Sequence, residues 1–498
     1  MSVNVSDFFE DPDFPLNKST LDPKKLGLKT EFEWIRVPTF AKRLKKSSTL
    51  IPSEPMENHD VFQRQVPNCW LIPGLSKLSQ YQKILEMVVP LDQSYEFYNG
   101  KVHFNLWNFG KWTEIIVDDR IPVIHHDEHL GARSSNPEVF WPPLLEKAFA
   151  KYCKSYTGGI LPGDAMTMLT GGICEDIELK DKNVNEIIDY FEEAKKQNSM
   201  VFASTDNAGY GIVQDHCYSV IKTLKATIQS GPWKGSHDLI VLKNPHDPNF
   251  GSCREERGYK GPWSKPSLEW KNAPKDVRSE MESDLGPNEF CMSIKMFKKL
   301  FSEIYICHMD KSTLDSGGLN FHQVGGICKI KKQGIIRTFL KKNDLNIHNN
   351  PRFKLKIYGK KSELVELIIG LMVDPSKFKI AQYDNRKIKF DDFISKWGFK
   401  KLIDAIEWFQ ETLRKKSLGL WIYPIGEDNS VQSYYFKHYV DTVPKIGPTK
   451  IKRNELVERV KLYPGSYILI PSIDANDPEL DFLIRVFCQS EGVTLTAL

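Results

Sequence analysis

The chain has 498 residues, 41% of them hydrophobic and 27% charged, which excludes global disorder and implies two or three domains, since a single core does not grow to that size. Lys plus Arg number 68 against 64 for Asp plus Glu, and the resulting formal charge of +4 is too small to point to nucleic acid. Nine cysteines, at 69, 153, 174, 217, 253, 291, 307, 328 and 488, are odd in number and scattered without a Cys-x-x-Cys pair; this argues against a disulfide framework and a thiolate zinc site, and points to a reducing, cytoplasmic setting.

Met1 to Phe14 lacks a basic stretch followed by an apolar run and does not read as a signal peptide. Residues 1–60 are polar and rich in proline, with a basic cluster at Lys42, Arg43, Lys45 and Lys46, and are expected to form a solvated N-terminal arm lying on the domain behind it. Leu75, Leu78, Tyr81, Ile84, Leu85 and Val88 then recur at helical spacing, so a helix is expected at or just after Cys69. Alternation on either side of Gly110 over residues 102–117 predicts two strands and a turn. Helices follow at about 142–156 and 184–198, with strands near 200–204, 216–221 and 239–243.

Beyond about residue 318 the pattern changes to short β-type runs, at 353–358, 365–373, 418–423, 434–439, 467–471 and 482–487, which suit an antiparallel β-sandwich. The longest apolar stretch, Leu364 to Val373, contains Glu366 and falls far short of the roughly 20 residues of a membrane helix, so no integral membrane segment is expected. Residues 389–416 break the β pattern: Phe393, Ile394, Trp397, Leu402, Ile406, Phe409 and Leu413 fall near helical spacing, as a helical insertion packed on the sandwich would. The expected fold class is α+β, a mixed helix-and-strand domain followed by the sandwich.

A cysteine nucleophile needs an ionised sulfur, an imidazole to exchange a proton, a group to orient that imidazole, and donors for an oxyanion. Cys69 stands before Trp70 at the expected helix start, where helix amides favour a thiolate. Gln63 lies six residues earlier, with a side-chain amide suited to an oxyanion. His216 opens a strand and Asn244 follows in Leu242-Lys243-Asn244-Pro245. The order Cys, His, Asn with a long first gap is that of papain-like proteases, although the spacing alone leaves a structural role open for each residue.

The flanking residues carry more. Gln63-Arg64-Gln65-Val66-Pro67-Asn68-Cys69-Trp70 resembles the Gln-Gly-x-Leu-Gly-Asp-Cys-Trp nucleophile motif of the calpain family. Phe140-Trp141 with Leu144-Leu145-Glu146-Lys147-Ala148-Phe149-Ala150-Lys151, Leu169-Thr170-Gly171-Gly172, Glu289-Phe290-Cys291-Met292-Ser293 and Phe9-Glu10-Asp11-Pro12-Asp13-Phe14-Pro15 are similar to further segments of its core. Asn350-Pro351-Arg352-Phe353 and Pro464-Gly465-Ser466-Tyr467 through Arg485-Val486-Phe487 resemble the β-sandwich that follows that core. The resemblance covers roughly residues 8–490 and implies an arm at 1–60, a two-lobed papain-like core at 61–310 split near 195–205, and the sandwich at 318–498. It further implies Cys69, His216 and Asn244 as the triad, Gln63 as oxyanion donor, protein substrates, and, with no penta-EF-hand domain after the sandwich, no small regulatory subunit.

Several residues depart from that family's pattern. Arg64 and Pro67 replace glycines, Asn68 an aspartate, Asp215 the glycine before the histidine, and His246 a tryptophan that gates closure of the two lobes. Of the calcium ligands implied by the resemblance, Asp60 remains in the first loop, where Val139 replaces the glutamate partner and Glu138 is next door. In the second loop Glu289 remains, while Gly258, Lys265 and Pro287 take acidic positions. No cofactor is certain, and calcium binding by the core is expected to be weak or absent. His125-His126-Asp127-Glu128-His129 contains an H-x-x-E-H pattern, but after Arg120-Ile121-Pro122 it reads as a loop rather than a zinc-binding helix. Two functions remain in view: an intracellular cysteine endopeptidase with altered calcium control, and a catalytically impaired relative acting as a binding or scaffold protein.

Overall fold

The computed structural model describes residues 8–24, 26–28, 31–50, 60–93, 99–124, 128–249, 258–275, 278–279, 285–286, 288–315, 317–323, 328–329, 353–373, 417–425, 446–450, 455–474 and 481–497. Its contacts divide the chain into two units, Met1–Gly318 and Leu319–Leu498. The helical insertion expected at 389–416 and the run at 434–439 lie outside the described residues.

The first part of the first unit is helical. Helix Trp141–Tyr152 is buried on every side from Trp141 through Ala150, and its Pro142 and Pro143 suit a first turn whose amides need no partner within the helix. Around it pack helices Ile72–Leu78, Gln82–Val88 and Pro162–Thr170. The apolar periodicity after Cys69 thus belongs to two short helices separated at Ser79–Tyr81, and the first begins three residues after Cys69. Strands Lys101–Asn108 and Lys111–Asp118 form a hairpin whose two turn residues, Phe109 and Gly110, both have positive φ, 45° and 86°, as a tight right-twisted hairpin requires.

Residues 8–50 are more than a solvated arm. Phe14, Leu21 and Leu26 are buried with Ile124 and Leu130, Lys151 pairs with Asp11 at 2.8 Å, and strand Glu33–Arg36 adds to Arg120–Ile124.

The second part is a six-stranded antiparallel sheet in the order Glu289–Ser293, Gly235–Lys243, His216–Ile228, Met200–Thr205, Glu303–His308, Ile173–Glu178. Successive strand side chains face opposite ways. Met200, Phe202, Tyr305 and Cys307 therefore join the helical core, while Val201, Ala203, Ile304 and Ile306 join a second core with helices Val184–Lys196 and Ile294–Leu300. A capping box between Asn183 and Glu186 fixes the start of helix Val184–Lys196.

The second unit is the β-sandwich. One antiparallel sheet contains Asn320–Gln323, Asp481–Cys488, Val365–Val373 and Glu455–Leu462; the other contains Ile446–Lys450, Ser417–Ile425, Gly465–Asp474, Phe353–Ile357 and Val493–Ala497. Their inner faces share one core, including Leu367, Ile369, Ile484, Phe353, Leu355 and Leu469. On the opposite face of the first of these sheets, Arg485 and Glu455 form a buried two-bond ion pair.

Candidate active site

The sheet brings the histidine and asparagine together. His216 opens one strand, Asn244 follows the end of its neighbour Gly235–Lys243, and antiparallel pairing places both at the same sheet end. His216 Nε2 lies 3.1 Å from Asn244 Oδ1, with both residues buried. The backbone N–H of His246 also donates to that oxygen, at 3.0 Å. Asn244 Oδ1 is thus an acceptor for two donors, so the imidazole carries hydrogen on Nε2 and, when neutral, presents a lone pair on Nδ1.

The His216 ring stacks on His246 with centroids 4.3 Å apart and meets Tyr218 edge-on at 5.0 Å, which restricts its rotation. The His246 side chain thus covers one face of the His216 imidazole.

Cys69 stands in a turn before helix Ile72–Leu78, half-buried, and its Sγ donates to the Asp215 carbonyl at 3.9 Å, one residue from His216. Asp215 has φ 51°, the left-handed region that glycine adopts freely and aspartate tolerates; this is the physical reason a glycine suits the position. The backbone amides at this turn do favour a thiolate, but burial acts against them. Burial pushes the Cys69 thiol up and outweighs the backbone N–H groups of Cys69, Trp70 and Cys217, while the Asp215 charge adds to the rise.

Gln63 joins the two parts of the unit through its backbone, its N–H donating to Pro245 O at 2.7 Å and its carbonyl accepting from Asp247 N at 2.8 Å. Its side-chain Nε2 donates to Val66 O at 2.9 Å, and its Oε1 is buried without a partner. Arg64 is turned onto Asp247 and the His129 carbonyl: its Nε meets Asp247 Oδ2 at 3.0 Å, where Arg133 also arrives at 3.1 Å. Asp247 is fully buried; burial would raise its carboxyl, but the Asn249 amide and the two guanidiniums hold it below the usual range. Nothing in the sequence marked Asp247 except a charge three residues after Asn244. The loop 65–68 is pinned by Gln65 N and Val66 N to Leu130 O, and by Asn68 N to Val66 O.

The family model for calpain family cysteine proteases matches residues 9–308. The chain belongs to the calpain family. Residues 405–487 match the model for domain III of the calpain large subunit, in line with the sandwich. The chain is 28% identical to Calpain-9 of Homo sapiens over 98% of its own length and 65% of that protein's, and 28% identical to Calpain-A of Drosophila melanogaster over 97% and 56%. To the Calpain-1 catalytic subunit of Gallus gallus it is 26% identical over 99% and 67%. It spans between about half and two thirds of the length of these curated relatives.

The remaining calpain-type carboxylates meet at a point that no sequence pattern marks. Lys243, immediately before Asn244, pairs through Nζ with Asp60 Oδ1 and lies 3.9 Å from Glu289 Oε1. Glu289 Oε2 accepts from Gly286 N at 3.0 Å, and Glu138 Oε1 from Ser47 N at 3.3 Å, while Val139 is buried. Calcium requires six to eight oxygen ligands converging on one point. Here an ammonium occupies the point between the two carboxylates, and among the described residues no group of three or more His, Cys, Asp or Glu side chains converges elsewhere. These residues do not fit calcium.

Of the H-x-x-E-H pattern, residues 125–127 lie outside the described residues. Glu128 and His129 form a short strand rather than a helix. His129 is buried, and burial together with Arg64 and Arg133 pushes its imidazole well below the usual range.

Proposed function

We propose that the chain is an endopeptidase that cleaves protein substrates through a thioester on Cys69. The single observation that carries this reading is the His216–Asn244 hydrogen bond, which dedicates Nε2 to orientation and leaves Nδ1 to exchange a proton with the thiol. His216 Nδ1 takes the Sγ proton, the thiolate attacks the peptide carbonyl, and the imidazolium returns that proton to the leaving amine. His216 then activates the water that hydrolyses the thioester. Gln63 donates to the oxyanion once its amide turns from Val66 O toward the cleft. His246 holds the imidazole face. Extended or unfolded segments are the substrates, and the seven free cysteines among the described residues support a reducing, cytoplasmic location.

The test is hydrolysis of fluorogenic casein by the purified chain, in chelator and in calcium, beside Cys69→Ala. Cys69-dependent turnover that chelator leaves unchanged is the expected result. A second reading, a catalytically impaired relative acting as a scaffold, is favoured by the raised thiol and by the Gln63 amide bonded to Val66. No turnover in either condition from folded protein would establish the second reading over the first.

A further inference from the structure

The residue before the nucleophile is tied to a buried acid that the reaction above does not use. Asn68 Nδ2 donates to Glu146 Oε1, and Ala132 N donates to Glu146 Oε2 at 2.9 Å. Asn68 in turn accepts at its carbonyl from Leu71 N and Ile72 N, at 2.8 and 3.1 Å, fixing the turn that carries Cys69. One carboxyl group thus grips the nucleophile turn on one side and the segment 130–132 on the other. Leu130 O also receives Gln65 N and Val66 N, so the whole loop 65–69 hangs on this joint. Gly131 permits the approach, because a Cβ there would collide with the Glu146 carboxyl.

We propose that Glu146 is a positioning residue for the nucleophile: through the Asn68 amide its carboxyl sets where the Cys69 thiol stands, and a change in its protonation alters the thiol's reactivity. Burial raises the Glu146 carboxyl to about 8, against the opposing bonds from Ala132 and Asn68. Near neutrality the group therefore keeps its proton and needs an acceptor for it. Asn68 Oδ1 is buried without a partner. An amide serves both forms: turned one way Nδ2 donates to the carboxylate, and turned the other Oδ1 accepts from the acid.

An aspartate at position 68 would offer only oxygens. Beside this pair stands the Tyr156 phenol, raised by burial and, when they are ionised, by Glu146 and Asp118. Lys147 is engaged with Asp118 at 2.7 Å, Arg120 with Asp118 at 3.1 Å, Lys151 with Asp11, and Arg133 with Asp247.

The inference rests on Cys69 being the nucleophile, and two probes on the full chain separate its failure from failure of the endopeptidase reading. Iodoacetamide alkylation of Cys69, read by peptide mass spectrometry across roughly pH 6 to 10, needs no catalytic machinery. The parent is expected to show a step near pH 8 that Glu146→Gln removes, because glutamine mimics the acid and keeps the rate at pH 7 within about twofold. Asn68→Asp, which places a second carboxyl beside the first, is expected to move the step upward by about one pH unit.

Coincident alkylation profiles for the parent and Glu146→Gln overturn the proposal, as does an unmoved step in Asn68→Asp. Labelling by a peptidyl epoxide, which requires the catalytic constellation, is expected in the parent and in Glu146→Gln. A step in alkylation without epoxide labelling would remove the endopeptidase reading and leave the positioning role intact.

Discussion

Two sites in the first unit lie within a few residues of each other along the strand that ends at Lys243, and they differ in kind. At Asn244 the sheet end holds His216 Nε2 and His246 N on one amide oxygen, an arrangement that depends on direction as well as charge. At Lys243 an ammonium stands between Asp60 and Glu289, an arrangement that depends on charge balance alone. Directional chemistry tolerates little exchange of residue type, whereas a pair of carboxylates can be balanced by nearby ammonium groups, and Lys77 feels both acids besides Lys243.

The sharpest break of the directional side is Asn244→Ala, which takes the acceptor from Nε2 and releases the imidazole to the wrong tautomer. Casein hydrolysis is expected to fall by about a thousandfold, by analogy with loss of the orienting group in serine triads. A fall of less than about threefold in folded protein would show that Asn244 orients nothing.

The next effect is structural and lies beside the same strand end. Asp247→Ala leaves the partly buried guanidiniums of Arg64 and Arg133 without their shared carboxylate, Arg64 keeping its bond to His129 O. Such a removal costs at most about 3–5 kcal/mol, which urea unfolding would read. A loss below about 1 kcal/mol would mean that backbone bonds from Gln63 to Pro245 and Asp247 hold the joint unaided.

This ion cluster also marks the limit of what the sequence made legible. The pairing of His216 with Asn244 was legible from residues such as Trp70 after Cys69 and Pro245 after Asn244, although Asn68, Asp215 and His246 depart from the family pattern, and the sandwich was legible from alternation in runs such as Phe353–Ile357. The helix break at Ser79–Tyr81 was hidden because apolar spacing continues in phase across it. Arg64 looked like damage to a glycine motif; only the fold shows its guanidinium turned onto Asp247. Likewise Asp60 and Glu289 looked like remnants, since nothing in a linear pattern states that Lys243 lies between them. Charge compensation between distant segments has no period and no motif, so it becomes visible only in three dimensions.

A smaller effect separates two buried acids near helix Trp141–Tyr152. Burial would raise the Asp118 carboxyl, but Lys147 and Arg120 outweigh it and hold it at about 2. Burial raises Glu146, which has no cationic partner among the described residues, to about 8 from its ordinary 4.5. The signs are opposite. Glu146 favours the fold below about 4.5, and that contribution is lost as pH rises through about 8, at roughly 1.4 kcal/mol for each pH unit climbed between those two values. Asp118 favours the fold above the ordinary carboxylate range, and its contribution is lost as pH falls through about 2. Glu146→Gln is therefore expected to flatten the decline in urea midpoint between about pH 4.5 and 8; an unchanged decline would assign it to another group.

The smallest expected effect tests the charge-balance side directly. Lys243→Met removes the ammonium paired with both acids and leaves Asp60 and Glu289 with the charge of Lys77 and with Gly286 N on Glu289. Two unbalanced carboxylates attract a hard cation even where too few ligands exist for tight binding. In the parent, millimolar calcium is expected to move the thermal midpoint by less than about 0.5 °C. In the variant it should raise the midpoint by about 1–2 °C, the change that weak binding worth about 1 kcal/mol gives a unit of this length. An equal calcium response in both proteins would place the cation elsewhere and end the comparison between an ammonium and a metal at this point of the fold. A response confined to the variant would show that one lysine is enough to separate the calpain core from the ion.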